Sequence, residues 1–110
     1  MEARRAIEAT CPECRGPLTD VQHDDLHEYR CLVGHAYSAR SVLAAHSDTQ
    51  ERALWSAVVA LEESAKLVES VGPQFPQEVA ERLRQQAQVK LRQAAEVRQI
   101  LERLEAFQVA

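Results

Sequence analysis

Three cysteines and one histidine carry the clearest chemistry in this chain. Two residues separate Cys11 from Cys14, three separate Cys31 from His35, and sixteen lie between the pairs. Thiolate sulfur and imidazole nitrogen are the donors that tetrahedral zinc takes, at about 2.0–2.3 Å. Two short chelating turns joined by a longer span are the spacing of zinc ribbons and knuckles. Pro12 stiffens the first turn, and Gly34 permits the positive φ that a tight chelating turn can require. The pattern therefore predicts one structural zinc ion per chain, held by Cys11, Cys14, Cys31 and His35. His23, His27 and His46 are alternatives for the fourth position, but only His35 shares a turn with a cysteine and a glycine.

Other uses of these residues fit less well. A thioredoxin-like Cys-x-x-Cys needs a βαβ setting, which the sequence lacks. Disulfide pairing would leave one of three cysteines over, and the N-terminus does not resemble a secretory signal. A catalytic zinc keeps a position open for water and takes three protein ligands. Four ligands at this spacing argue against an enzyme, even with His46 or Glu28 as a conceivable base. A nucleic-acid-binding ribbon is the alternative function, with Arg4, Arg5, Arg15, Arg30 and Arg40 as the candidate phosphate contacts. Glu13, Asp20, Asp24, Asp25 and Glu28 interrupt them, as on a solvated surface. The formal charge of −4, from 17 acidic and 13 basic residues, also lacks the basic excess that duplex binding favours.

Stepping outward from the site, 110 residues suffice for one small domain or a compact piece with an appendage. The first 46 residues hold too few large aliphatics for a self-sufficient core. A metal would compensate, since structural zinc contributes roughly 10–16 kcal/mol of apparent binding energy coupled to folding. No eighteen-residue apolar run is present, so no membrane span is expected. Reduced cysteines point to the cytoplasm, and no small-molecule substrate is implied.

The expected architecture is mainly α with a small β-hairpin. Residues 1–10 are expected to be a flexible arm. Residues 11–46 are expected to form a zinc-ribbon-like module, with strands over Leu18–His23 and Leu26–Cys31 around Asp24-Asp25. Such a hairpin would return Cys31 to Cys14. Ser38 is a good N-cap, and Asp48 with Glu51 has the form of a capping box. These two signals allow one continuous helix or a short helix over about 39–46 with a bend near Ser47, and the bend is the expectation. Residues 47–110 are expected to form a long antiparallel helical hairpin. Leu54, Val58, Leu61, Ala65 and Val68 make one apolar stripe, widened by Trp55 and Val59. Gly72-Pro73 ends that helix. Val79, Leu83, Ala87, Leu91, Ala94, Val97, Leu101 and Leu104 make the second stripe, on a helix of about thirty residues. Two helices bury only one seam, so Trp55 is expected either to pack on the ribbon or to join two hairpins as a homodimer.

CPECRGPL, HEYRCLVGHAYSARSVLAAH and ERALWSAVVALEESAKL together resemble the C-terminal extension of a group of CheB-type chemotaxis methylesterase proteins. The likeness covers about residues 10–70 and is most specific in the run ending at Ser38. It implies a zinc-ribbon-like segment with a following helical region, and Cys11, Cys14, Cys31 and His35 match the metal-type positions. Arg15 stands where ribbons often place glycine, with Gly16 one position later. The catalytic domain of that group uses a serine-histidine-aspartate arrangement, whereas this chain has no parallel-sheet pattern and no nucleophile elbow. The resemblance thus implies a non-catalytic accessory module, free-standing or excised, that docks to or regulates a signalling protein.

Overall fold

The computed structural model describes residues 2–109 and contains a four-stranded antiparallel sheet followed by two helices. The strands are β1 (Glu2–Thr10), β2 (Pro17–His23), β3 (Leu26–Arg30) and β4 (Ala36–Tyr37), in sheet order β1-β2-β3-β4. The helices are α1 (Ala39–Val71) and α2 (Gln77–Arg103), linked by a 3-10 turn over Gly72–Gln74. With 33 and 27 residues in the two helices, the chain is mainly α, as expected.

Two compact units divide the chain. One runs to Thr49 and includes the tail from Glu105; the other is Gln50–Leu104. In the first, β2 is the axis. Thr19 to His23 pair with Arg30 to Leu26, so the expected hairpin forms around Asp24-Asp25. Asp24 adopts φ 54°, a left-handed geometry that aspartate tolerates better than most side chains. The expected flexible arm is instead a strand: Glu2 to Ala6 pair with His23 to Thr19, and an irregularity follows before Thr10 meets Pro17. Local propensity does not call for this strand. Its ladder to β2 supplies the hydrogen bonds that its own sequence leaves unspecified.

The core of this unit is small. Cys11, Leu18, Cys31 and Tyr37 are buried together, with Ile7, Ala9, Tyr29, Val42 and Ala45 against them. Val42 and Ala45 belong to the start of α1, whose cap is reciprocal. Ser41 N–H donates to Ser38 Oγ at 3.1 Å, and Ser38 N–H donates to Ser41 Oγ at 2.8 Å. Ser38 therefore acts as the N-cap that its type suggests. The expected bend near Ser47 is absent, because α1 continues unbroken to Val71. Ser47 Oγ donates to Leu43 O at 3.1 Å and Thr49 Oγ1 to Ala45 O at 3.0 Å. Both hydroxyls thus bond back into the helix rather than start a new one.

In the second unit, Val58 is buried, while Leu54, Leu61, Ala65 and Val68 are half-buried on the same side of α1. The stripe read from the sequence is the buried one. Gly72 ends α1, as its type predicts, and α2 starts after Pro76. The helix expected to reach about thirty residues stops at Arg103, where Leu104 turns to extended geometry. The fully buried positions of α2 are Ala80, Ala87 and Ala94, seven residues apart. Leu91 and Leu104, expected in the stripe, are 38% and 37% exposed. Bulk added at buried alanines is resisted by what covers them. Ala94→Leu should lower stability by about 1–3 kcal/mol through overpacking, whereas Leu91→Ala should change it by less than about 1 kcal/mol. Thermal unfolding followed by helical ellipticity distinguishes the two.

Candidate metal centre

Sheet order explains why two distant pairs of residues meet. The β1–β2 connection contains Cys11 and Cys14, and the β3–β4 connection contains Cys31 and His35. In an antiparallel meander these connections lie at the same end of neighbouring hairpins. The four ligand atoms all lie within 4.8 Å of one another, and the three cysteines form no disulfide. Cys11, Cys14, Cys31 and His35 could therefore bind a metal ion.

Each connection is a tight turn with the same plan. In the first, Cys11 N–H donates to Gly16 O at 2.7 Å and Arg15 N–H to Cys11 O at 2.8 Å. In the second, Cys31 N–H donates to His35 O at 3.1 Å and Gly34 N–H to Cys31 O at 3.3 Å. Each turn also holds one left-handed residue. Gly34 has φ 111°, as its type allows, but in the first turn this position falls to Arg15, at φ 65°, and not to Gly16. Backbone N–H groups aim at sulfur as well: Gly16 at Cys14 Sγ, 3.4 Å, and His35 at Cys31 Sγ, 3.3 Å.

The donor set fits a tetrahedral ion. His35 Nδ1 is 3.3 Å from Cys31 Sγ and 3.5 Å from Cys11 Sγ. A tetrahedral ion with ordinary sulfur and nitrogen bond lengths would set such an edge at about 3.6 Å. The other ring nitrogen, Nε2, is 3.0 Å from Glu13 Oε2. Because a carboxylate accepts, that contact puts the ring proton on Nε2 and turns the Nδ1 lone pair inward. Tyr37 Oη donates to Glu13 Oε1 at 2.6 Å and lies 3.6 Å from Cys11 Sγ. Glu13 and Tyr37 form an outer shell that the ligand spacing did not reveal. Glu13 lies between the first two ligands, and β4 sets Tyr37 opposite Tyr29.

The titratable groups of the cluster shift in different directions. Burial opposes ionisation of Cys11, but backbone N–H groups of Cys14 and Glu13 and the Tyr37 hydroxyl prevail and lower its thiol to about 6. Burial likewise opposes Cys31, and the His35 N–H, with the Cys14 thiol, brings it below the usual range. Cys14 moves the other way. The Gly16 N–H favours its thiolate, yet burial and the neighbouring sulfurs push it up. Contact with Cys31, against some burial, raises His35. Burial, then the Glu13 hydrogen bond, raises Tyr37 and keeps it a phenol.

The other histidines are engaged elsewhere. His23 Nε2 is 3.1 Å from Glu2, and His46 Nε2 donates to Thr10 O at 2.9 Å. His27 Nδ1 lies 2.8 and 3.0 Å from the oxygens of Asp20, a buried carboxylate. His46 and Thr49, which donates to Pro12 O at 3.3 Å, tie the start of α1 to the first chelating turn. No helix among the described residues is long and apolar enough to cross a membrane. No family model, no curated protein and no solved structure matches this chain.

Metal uptake must displace thiol protons, so acid competes with it. The lowered Cys11 thiol favours binding above about 6, and that advantage is lost as pH falls through this value. Titration from neutral pH to ~5 with a colorimetric chelator should therefore show release of the ion. Glu13→Gln should weaken metal binding by about 10–100-fold in chelator competition, by loosening His35. Glu28→Gln, away from the site, should leave it unchanged.

Proposed function

We propose that this chain is a non-catalytic interaction module: a zinc ribbon built on one structural zinc ion, followed by an antiparallel helical hairpin that docks to a protein partner or to itself. The observation that carries this reading is the closed set of three sulfurs and one oriented imidazole nitrogen within 4.8 Å. Tetrahedral, sulfur-rich coordination favours zinc, and four protein ligands leave no position for a substrate water. Thiolates that must stay reduced to hold the ion suit the cytoplasm.

The helical reading is supported by the short connector and by Arg98 of α2, which meets α1 at two places. Its guanidinium is 3.2 Å from both oxygens of Glu62 and stands 5.4 Å from the centre of the Trp55 ring. Arginine pairing speaks against the nucleic-acid alternative. Arg4 is paired with Glu2, Arg30 with Glu28, and Arg5 lies 3.7 Å from Asp20. Guanidinium groups so occupied do not form a track for phosphates. The resemblance over residues 10–70 suggests a partner of the chemotaxis-signalling type.

Cobalt substitution tests the closed site. Bound cobalt should show the intense visible bands of a tetrahedral thiolate site, at one ion per chain, and these should not change on adding azide or other small anions. A spectrum that shifts with added anion would reveal an open coordination position and overturn the non-catalytic reading. Chelation should abolish tertiary signals of the first unit while leaving much of the helical ellipticity, because Val58, Ala80, Ala87 and Ala94 give the helices buried positions of their own. Complete loss of that ellipticity would contradict the division of labour.

A further inference from the structure

Helix α1 is apolar on two sides. Val58, Leu61 and Ala65 face inward, yet Trp55 remains 43% exposed and Val59 49% exposed. Trp55, Ser56, Val59, Ala60 and Glu63 line a shallow groove of ≈ 340 Å³. At about 100° per residue, Arg52, Trp55, Ser56, Val59, Ala60 and Glu63 span about 140° of circumference, on the side away from Val58, Leu61 and Ala65. Arg98 covers one face of the Trp55 ring. Neither Arg52 nor Glu63 enters an ion pair among the described residues.

This face carries its own complement. It offers a bulky knob, Trp55, a flat place made by the small residues Ser56 and Ala60, and one charge of each sign at its ends. We propose that it is the docking surface for a second copy of this chain, with the two α1 helices antiparallel about a twofold axis level with residues 57 and 58. That register sets Arg52 against Glu63 of the second copy, and the reverse, with Trp55 over Ala60 and Ser56 beside Val59. Sliding one helix by three residues would place Arg52 against Lys66 and Trp55 against Glu63, which brings like charges together and buries the tryptophan on a carboxylate. A twofold contact needs one patch to be self-complementary, and charge and shape select the same register here. The inference rests on the interaction-module reading and specifies its partner.

Sedimentation equilibrium of the metal-loaded full chain tests this. A contact of this length is small, so a dimer dissociating at on the order of 10 µM is expected. Trp55 is the only tryptophan, so its emission should shift to the red on dilution as the ring meets water. Arg52→Glu and Glu63→Arg should each weaken dimerisation by ~10-fold or more. The double variant Arg52→Glu with Glu63→Arg should restore it. These residues are exposed, and unchanged ellipticity would show that each variant folds. A monomer at ~500 µM, well above the expected range, would overturn the inference, as would a dimer indifferent to the single charge reversals or not rescued by the double one. Anion-insensitive cobalt spectra in that same monomer would leave the closed-site reading standing, so the two failures are distinguishable.

Discussion

Three sulfurs and an imidazole within 4.8 Å of one another set a problem of charge. Two unit charges about 4 Å apart repel by about 4 kcal/mol at an effective dielectric near 20. Three thiolates so placed cannot ionise together without a counter-charge. Against burial, backbone N–H groups lower Cys11 and Cys31, while burial and hydrogen bonds to the neighbouring sulfurs raise Cys14 against the Gly16 N–H. A divalent cation at their centre would remove the conflict, and the protein prepares for it with N–H groups and with Glu13 holding His35. The same residues also form the core. Two of its four buried members, Cys11 and Cys31, are candidate ligands, and a third, Tyr37, braces Glu13. In this unit the core and the candidate metal cluster share residues, as expected where surface dominates volume.

Much of that construction was legible in the chain itself, because it depends on short-range rules. Spacing located the four residues that cluster, the two-residue Asp24-Asp25 turn located the hairpin, and Ser38 located the start of α1. Val58 and its half-buried neighbours matched the helical period. What stayed hidden depends on partners distant in sequence. EARRAIEAT alternates poorly, with Arg4 beside Arg5 and a single large aliphatic, so its strand character comes from pairing with β2 rather than from its own pattern. The apparent second start at Asp48 was misleading for a related reason. A capping sequence is only an option, and Ser47 and Thr49 satisfy their hydroxyls within α1 while Thr49 also reaches Pro12. Asp20 was expected on a solvated surface, but it pairs with Tyr29, and His27 two positions away on β3 meets its buried carboxylate.

The two-helix region shows the opposite economy. Its buried positions on α2 are alanines, and each contributes little apolar area even when fully covered. Buried positions of this kind contribute through dispersion contacts, not through bulk. Larger apolar side chains are therefore displaced outward: Trp55 and Val59 on α1, and Val89, Leu91 and Ile100 on α2, all remain substantially exposed. Scattered singly, such residues would need no explanation. Trp55 and Val59 are not scattered, since they share one side of α1 with two small residues and two charges that form no ion pair among the described residues. A thin internal seam and a furnished outer face are complementary facts about one helix, because area not used inside remains available to whatever docks outside. The first unit leaves large apolar side chains outside as well: Leu26, Leu32 and Val33 are exposed, and Leu18, Val21 and Tyr37 are the large ones it buries.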